Sequence, residues 1–396
     1  MNRKQLGILL GLAVVIGGAG LLMYHRNEQS WNETGAATGG TLLGKLPVND
    51  ITHLVIRQST NELNLAKQDE TWRVRERHDY PANFSQISEF LLKARDWKIV
   101  QTEKIGPSQL PKLQLAPPGP GSNTTLAVEF RGAGDKAIAT LLVGKPHLRK
   151  SARPSQFGEG DEGFPDGRYV KTADSDTVAV ISDPLENVQP RPENWLNKDF
   201  LKVEKARSLQ VIFPVATNSW KLTRATESGE WILADAKPTE KLDSSKTSAL
   251  SSPLGSPSFT DVLAGDKLAG SGTNAPIAVT VETFDDFHYA FNVGAKTNDE
   301  YPLTVTLTAE LAKERTPSKD EKPADKDRLD KEFQANRQKL ADKLKQEQTY
   351  QGWTYLVSSW SVDSLLKERA QLLVEKKDEP KADGTNTTAT VEAPKP

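Results

Sequence analysis

The sequence predicts an α+β fold: two similar lobes of antiparallel sheet plus helix from an internal duplication, preceded by one transmembrane helix. Three observations predict it. Short alternating apolar runs broken by polar turns fill the middle of the chain, the pattern of half-buried antiparallel strands. Those runs recur in the same order a second time. A single uncharged apolar stretch, Leu6 to Tyr24, opens the chain.

That stretch is read as an anchor. At about 1.5 Å per residue it spans roughly 28 Å, close to the hydrocarbon thickness of a bilayer. Arg3 and Lys4 precede it, which places the N-terminus in the cytoplasm and the bulk of the chain in the periplasm. A cleaved signal has a shorter apolar core followed by a small-x-small site. Here Ala19 and Gly20 lie inside the run, with Leu21, Leu22 and Met23 still to come, so an uncleaved single-pass inner-membrane anchor is expected over residues 1–26. Gly7 and Gly11 form a small-xxx-small pair against which another membrane helix could pack.

Composition narrows the function classes. Hydrophobic residues make up 36% of the 396, enough for folded cores but not for a multispanning protein. Lys plus Arg (51) and Asp plus Glu (53) balance, so the basic excess that nucleic-acid binding needs is missing. With no cysteine, disulfides, thiolate catalysis, iron–sulfur clusters, Cys-ligated zinc and a lipoprotein linkage all drop out. Residues 27–46, rich in Gly, Thr and Asn, read as a flexible tether, and residues 375–396, rich in Lys, Glu, Pro and Thr, as a disordered tail.

Between them lie a first unit, 47–200, and a second, 201–374. Leu54-Val-Ile56, Asn61 to Lys67 and Trp72-Arg-Val74 in the first are matched by Leu209-Gln-Val211, Asn218 to Arg224 and Trp231-Ile-Leu233 in the second. Leu126-Ala-Val128 with Val143-Gly144 then matches Ile277-Ala-Val279 with Val293-Gly294, and Arg168-Tyr-Val170 is paired with Thr354-Tyr-Leu356. The spacing drifts between roughly 150 and 160 residues over the early matches, as small loop changes would produce. Asn83 followed by Gln86 makes a capping box, and Phe84, Ile87, Leu91, Ala94 and Trp97 then share one helix face. The matching stretch, Asp243 to Leu250, is poorer in apolar residues and predicts a short helix. Hairpins are expected at Thr125–Arg131 with Ala137–Gly144 and at Ile277–Thr283 with Tyr289–Gly294, and Trp72 and Trp231 are expected to cover their own sheets.

The order of these features resembles a bacterial family known only as a domain of unknown function, number 4340. The resemblance rests on Asp69-Glu-Thr-Trp72, Tyr80-Pro-Ala82 before a helix, Leu142-Val-Gly144, Arg168-Tyr-Val170 with Val178-Ala-Val180, and Pro192-Glu-Asn-Trp195 with Asn197-Lys-Asp199. It extends over nearly everything between Ile51 and Val374. It implies a protein anchored by one N-terminal helix and encoded beside gliding-motility-type ABC-transporter components, hence an accessory of such a complex. It brings no active-site residues.

The second unit departs from the first by a charged stretch, Lys313 to Gln348, read as an inserted helix between Gly294 and Tyr355. From Asp325 to Gln348 it contains no Gly or Pro, and Leu329, Phe333, Leu340 and Leu344 make one narrow apolar seam on a charged rod. Such a seam suits either one helix of a partner or this protein's own lobe. Replacing the whole stretch by a linker is expected to leave both lobes folded.

No chemical motif survives inspection. Gly39-Gly-Thr-Leu-Leu-Gly44-Lys45-Leu46 ends on leucine where a phosphate-binding loop needs a hydroxyl for magnesium. The acidic stretch Glu159 to Asp166 lacks the alternating carboxylate spacing that wraps calcium. His25, His53, His78, His147 and His288 are scattered without metal-ligand spacing, and Asp285-Asp-Phe-His288 reads as a hairpin tip. Ser364-Leu-Leu-Lys367 has no acylation partners, and Val362, Leu365, Leu366 and Leu372 instead suit an amphipathic helix. The sequence therefore favours a membrane-anchored extracytoplasmic accessory or scaffold with no cofactor, metal or enzymatic activity, bound to a membrane-protein complex. A periplasmic module binding glycan or peptidoglycan between its lobes is the alternative, and a hydrolase with distant carboxylates the third.

Overall fold

In the second and third strands of the first unit, Gln68 pairs with Thr71 across Asp69 and Glu70, both with positive φ (48° and 62°). That is the two-residue turn whose twist matches a hairpin, and aspartate tolerates the left-handed region better than most residues. Such local choices build each unit of the computed structural model, which describes residues 39–116, 126–149, 164–255, 257–263, 276–318 and 321–374. The expected anchor, with Gly7 and Gly11, and the expected tail lie outside these residues. No described helix is long and apolar enough to cross a membrane. The chain divides between Asp199 and Phe200, with Asp261–Ala264 counted with the first unit.

In the first unit, β1 (His53–Gln58), β2 (Asn61–Gln68), β3 (Thr71–Val74) and β4 (Tyr80–Pro81) form a meander ahead of helix α1 (Phe84–Asp96). Strands β5 (Ile99–Glu103), β6 (Leu126–Arg131), β7 (Ala137–Arg149), β8 (Phe164–Thr172) and β9 (Val178–Ile181) follow. Together they make an antiparallel sheet in the order β4-β3-β2-β1-β6-β7-β8-β9-β5. Asn83 caps α1 by accepting from the Gln86 backbone N–H at 3.1 Å. Ile87, Phe90, Leu91, Ala94 and Trp97 are buried, and Phe90 lies between Phe130, Trp97 and Trp195 at ring-centre distances of 6.0, 5.8 and 6.2 Å. Phe84, expected on this face, is 65% exposed. It opens the helix and sits on one flank of the buried arc, whose centre is Ile87 and Ala94, while Phe90 lies toward the other flank.

The second unit repeats the plan with β10 (Ala206–Ile212), β11 (Trp220–Thr223), β12 (Ile232–Leu233), α2 (Ser244–Thr247), β13 (Phe259–Leu263), β14 (Ile277–Thr283), β15 (Phe287–Val293) and β16 (Glu300–Ala309). Helix α3 (Lys326–Gln348), β17 (Thr354–Ser358) and the four-residue α4 (Ser359–Val362) complete it. Its sheet runs β12-β11-β10-β14-β15-β16-β17-β13. Trp72 and Trp231 are both buried, the first in β3 and the second immediately before β12. The amphipathic helix expected around Leu365 is not formed: α4 ends at Val362, and Leu365 is buried in a turn that leads to a 3-10 turn at Arg369–Leu372.

Strand register shows how closely the lobes correspond. Leu54 pairs with Leu65, and Leu209 with Leu222; Ile56 pairs with Val128, and Val211 with Val279; Leu126 pairs with Val143, and Ile277 with Val293. Each pair joins residues already matched by sequence. The correspondence continues past the sheets. Asn83 N–H donates to Trp195 O (2.8 Å) and Asn197 N–H to Pro81 O (2.9 Å), as Asp243 N–H does to Leu372 O (2.9 Å) and Val374 N–H to Lys241 O (2.9 Å). Each lobe thus ends by fastening its closing 3-10 turn to the N-cap of its helix.

One match is corrected. Val143 pairs with Val170 on β8, and its counterpart Val293 pairs with Leu303 on β16. Arg168-Tyr-Val170 therefore corresponds to Tyr301-Pro-Leu303, not to Thr354-Tyr-Leu356, which lies one strand further along on β17. The charged insertion consequently sits between β16 and β17, where the first lobe joins β8 to β9 by the short turn through Ser175 and Thr177.

Candidate functional site

Two features stand apart from the shared frame: the helix α3 in the second lobe and a polar groove in the first. Helix α3 follows Lys322-Pro323, where proline opens a 3-10 turn and supplies no N–H the helix would need. Its last turn is built into the lobe. Glu347, 6% exposed, accepts from Tyr289 Oη at 2.6 Å and from the Lys202 backbone N–H at 3.1 Å. Burial, and then this carboxylate, push the Tyr289 hydroxyl well above the ordinary tyrosine range. Lys343 donates to Lys202 O at 3.0 Å and lies 5.3 Å from the Phe287 ring centre. At the other end Arg315 donates to Asp330 Oδ1 (2.8 Å) and Glu321 Oε1 (2.6 Å), tying the lead-in segment to the first turns of α3.

Leu329, Phe333, Leu340 and Leu344 lie along this helix, and all four are half-buried. The helix contacts β16, so the lobe covers part of the stripe and leaves part of it open. The insertion is therefore not separable as a whole: Glu347 and the buried Tyr350 just after it belong to the core of the second lobe.

The groove, of about 420 Å³, lies in the first lobe. Gln58 at the end of β1, Asn61 at the start of β2, Leu126 at the start of β6 and Arg168 on β8 form one side, and residues 185–191 the other. Trp195 holds that loop from beneath by donating Nε1–H to Gln189 O at 3.0 Å. Arg168 donates to Gly144 O (2.7 Å) and Pro184 O (3.1 Å), and burial pulls its guanidinium below the ordinary value. Gly144 must be glycine there, since a Cβ would lie 2.2 Å from Leu113 O. A second concavity continues past Asn61 and Arg191 to Thr60, Glu76 and Glu193. Sequence reading missed this site because its side chains come from separated segments with no shared spacing.

The residues weighed for chemistry do not converge. His53, 3% exposed, faces Asp135 Oδ1 at 2.6 Å and Asn64 Oδ1 at 3.0 Å. Asn64 in turn donates to Glu62 and Glu76, and Arg57 joins Glu62 to Glu129. These groups satisfy one another as a strand-surface network. Asp285 and Asp286 pair with Lys205 and Arg207 at the β14–β15 turn. His147 pairs with Asp166 at 2.6 Å, and the rest of the acidic stretch, 159–165, falls largely outside the described residues. Among the described residues no group of three or more metal-binding side chains occurs.

Comparison with known proteins adds one result. A family model described as Domain of unknown function (DUF4340) matches residues 72–276, from β3 to the residue before β14. The chain belongs to this family. The matched span contains α1, the groove arginines and the closing turn of the first lobe, and stops short of α3, so the inserted helix lies outside the part of the chain that the family model describes. No curated protein and no solved structure matches the chain.

Proposed function

We propose that this protein is an extracytoplasmic accessory or scaffold, held in the inner membrane by residues 6–24, whose two lobes arose by duplication. Its partner is a membrane-protein complex of the ABC-transporter-like or gliding type. Its role needs neither a catalytic residue nor a cofactor. The observation that carries the reading is α3. The first lobe closes β8 onto β9 with a short turn, while the second carries between the equivalent strands a 23-residue charged helix with an incompletely covered apolar stripe. A frame that closes without a helix in one copy does not require the outer turns of this one in the other, beyond the buried last turn at Glu347, which favours a docking arm.

The test targets the outer part of the helix and spares its buried last turn. Leu329→Gln together with Phe333→Gln should leave the folded protein intact but abolish in-cell crosslinks formed through α3 to an envelope membrane protein. Retention of those crosslinks by the folded double variant would refute the docking role.

A further inference from the structure

Two arginines in the first lobe line the groove without forming an ion pair among the described residues, although Glu186 lies close enough to Arg168 to favour its charge. Arg168 donates its hydrogen bonds to two backbone carbonyls, and Arg191 is exposed at the rim of the same groove. The second lobe shows that the frame does not need them. By strand register Arg168 corresponds to Tyr301. The closing loops also align: Val188 N–H donates to Leu185 O as Leu365 N–H does to Val362 O, which places Glu368 at the position of Arg191. The groove end of β1 changes too, from Gln58 to Phe213. The two arginines and Gln58 belong to the first lobe alone, whereas Asn61 has its counterpart in Asn218.

We propose that this groove binds an acidic peptide segment, a function independent of α3 and of the scaffold role. Arg168 and Arg191 would take a carboxylate, since a guanidinium offers paired N–H donors that match its two oxygens. Gln58, Asn61 and Gln189 carry both donor and acceptor atoms, as a peptide backbone requires of its partner. Leu126, Leu185 and Val188 supply apolar contact for neighbouring side chains. Glu186 in the same lining repels a phosphate dianion more strongly than a single carboxylate, and it can accept a peptide N–H.

Calorimetric titration of the full-length purified protein decides it, with acetyl-Ala-Glu-Ala-amide, its glutamine analogue acetyl-Ala-Gln-Ala-amide and inorganic phosphate as probes. The glutamate peptide should bind, less tightly as salt is raised, and the glutamine analogue at least ~10-fold more weakly. Arg191→Glu and Arg168→Tyr, which import the residues of the second lobe, should each weaken the glutamate peptide at least ~10-fold. Arg191→Glu should do so without shifting the thermal transition, whereas Arg168→Tyr also loses the bonds to Gly144 O and Pro184 O. The proposal fails if the glutamate peptide does not bind, if its glutamine analogue or phosphate binds as tightly, or if folded Arg191→Glu keeps its affinity. Should Arg168→Tyr unfold, the exposed Arg191 carries the decision.

Discussion

Removing the carboxylate of Glu347 should detach the end of α3 and cost the second lobe a large part of its stability. The side chain is 6% exposed and accepts from two donors, the Tyr289 hydroxyl at 2.6 Å and the Lys202 N–H at 3.1 Å. Glu347→Ala strands both, and a buried donor left without its partner costs about 1–3 kcal/mol. The expected loss is therefore about 2–6 kcal/mol, one such penalty for each of the two stranded donors. Glu347→Gln keeps one acceptor oxygen but turns an N–H₂ toward the other donor, so about 1–3 kcal/mol is expected. Urea denaturation measures both losses, and hydrogen exchange along α3 should show its last turns opening first. The same contact sets an alkaline limit. Because the Tyr289 proton is held more tightly in the folded state, its contribution is complete below the ordinary tyrosine pKa of about 10 and falls as pH rises beyond it. Tyr289→Phe should flatten that fall. A Glu347→Ala loss below about 1 kcal/mol, or unchanged exchange in α3, would refute the anchoring.

In the first lobe, Phe90→Ala should destabilise by about 3–5 kcal/mol in denaturant, because the ring fills the space between Phe130, Trp97 and Trp195 and these cannot close over it. On the acid side, the Arg369 guanidinium and the Lys237 N–H hold Glu240 at about 2. Its contribution to folding is present above the ordinary glutamate range and disappears as pH falls toward about 2, so Glu240→Gln should reduce the slope of stability between those limits in acid titrations followed by circular dichroism.

Much of this architecture was legible in the residues. Alternation marked the strands, and Asn83 with Gln86 marked the start of α1. A helix-forming stretch free of Gly and Pro marked α3 from Asp325 onward. What misled was local likeness. Arg168-Tyr-Val170 and Thr354-Tyr-Leu356 share a tyrosine between short flanks, yet every strand of this sheet type reads similarly over three residues. Only hydrogen-bond register places Val170 opposite Val143 and Leu303 opposite Val293. The groove was illegible for a related reason. Arg168 and Arg191 acquire meaning through the folding of β1, β2, β6 and the 185–191 loop around them, and through the contrast with Tyr301 and Glu368, neither of which is encoded in spacing.

The fastening of each closing turn to the start of its lobe's helix has a consequence for how the chain folds as it is synthesised. The first lobe holds its own final latch, Trp195 to Asn197 against Asn83 and Pro81, so it can complete itself while the second is still emerging. The second lobe has no such head start. Its latch is Leu372 to Val374, and until those residues arrive the segment Lys241 to Asp243, which caps α2, stays open. A chain cut short just before Leu372 would therefore present one finished lobe and one unfastened lobe, and a protease should cleave the second first.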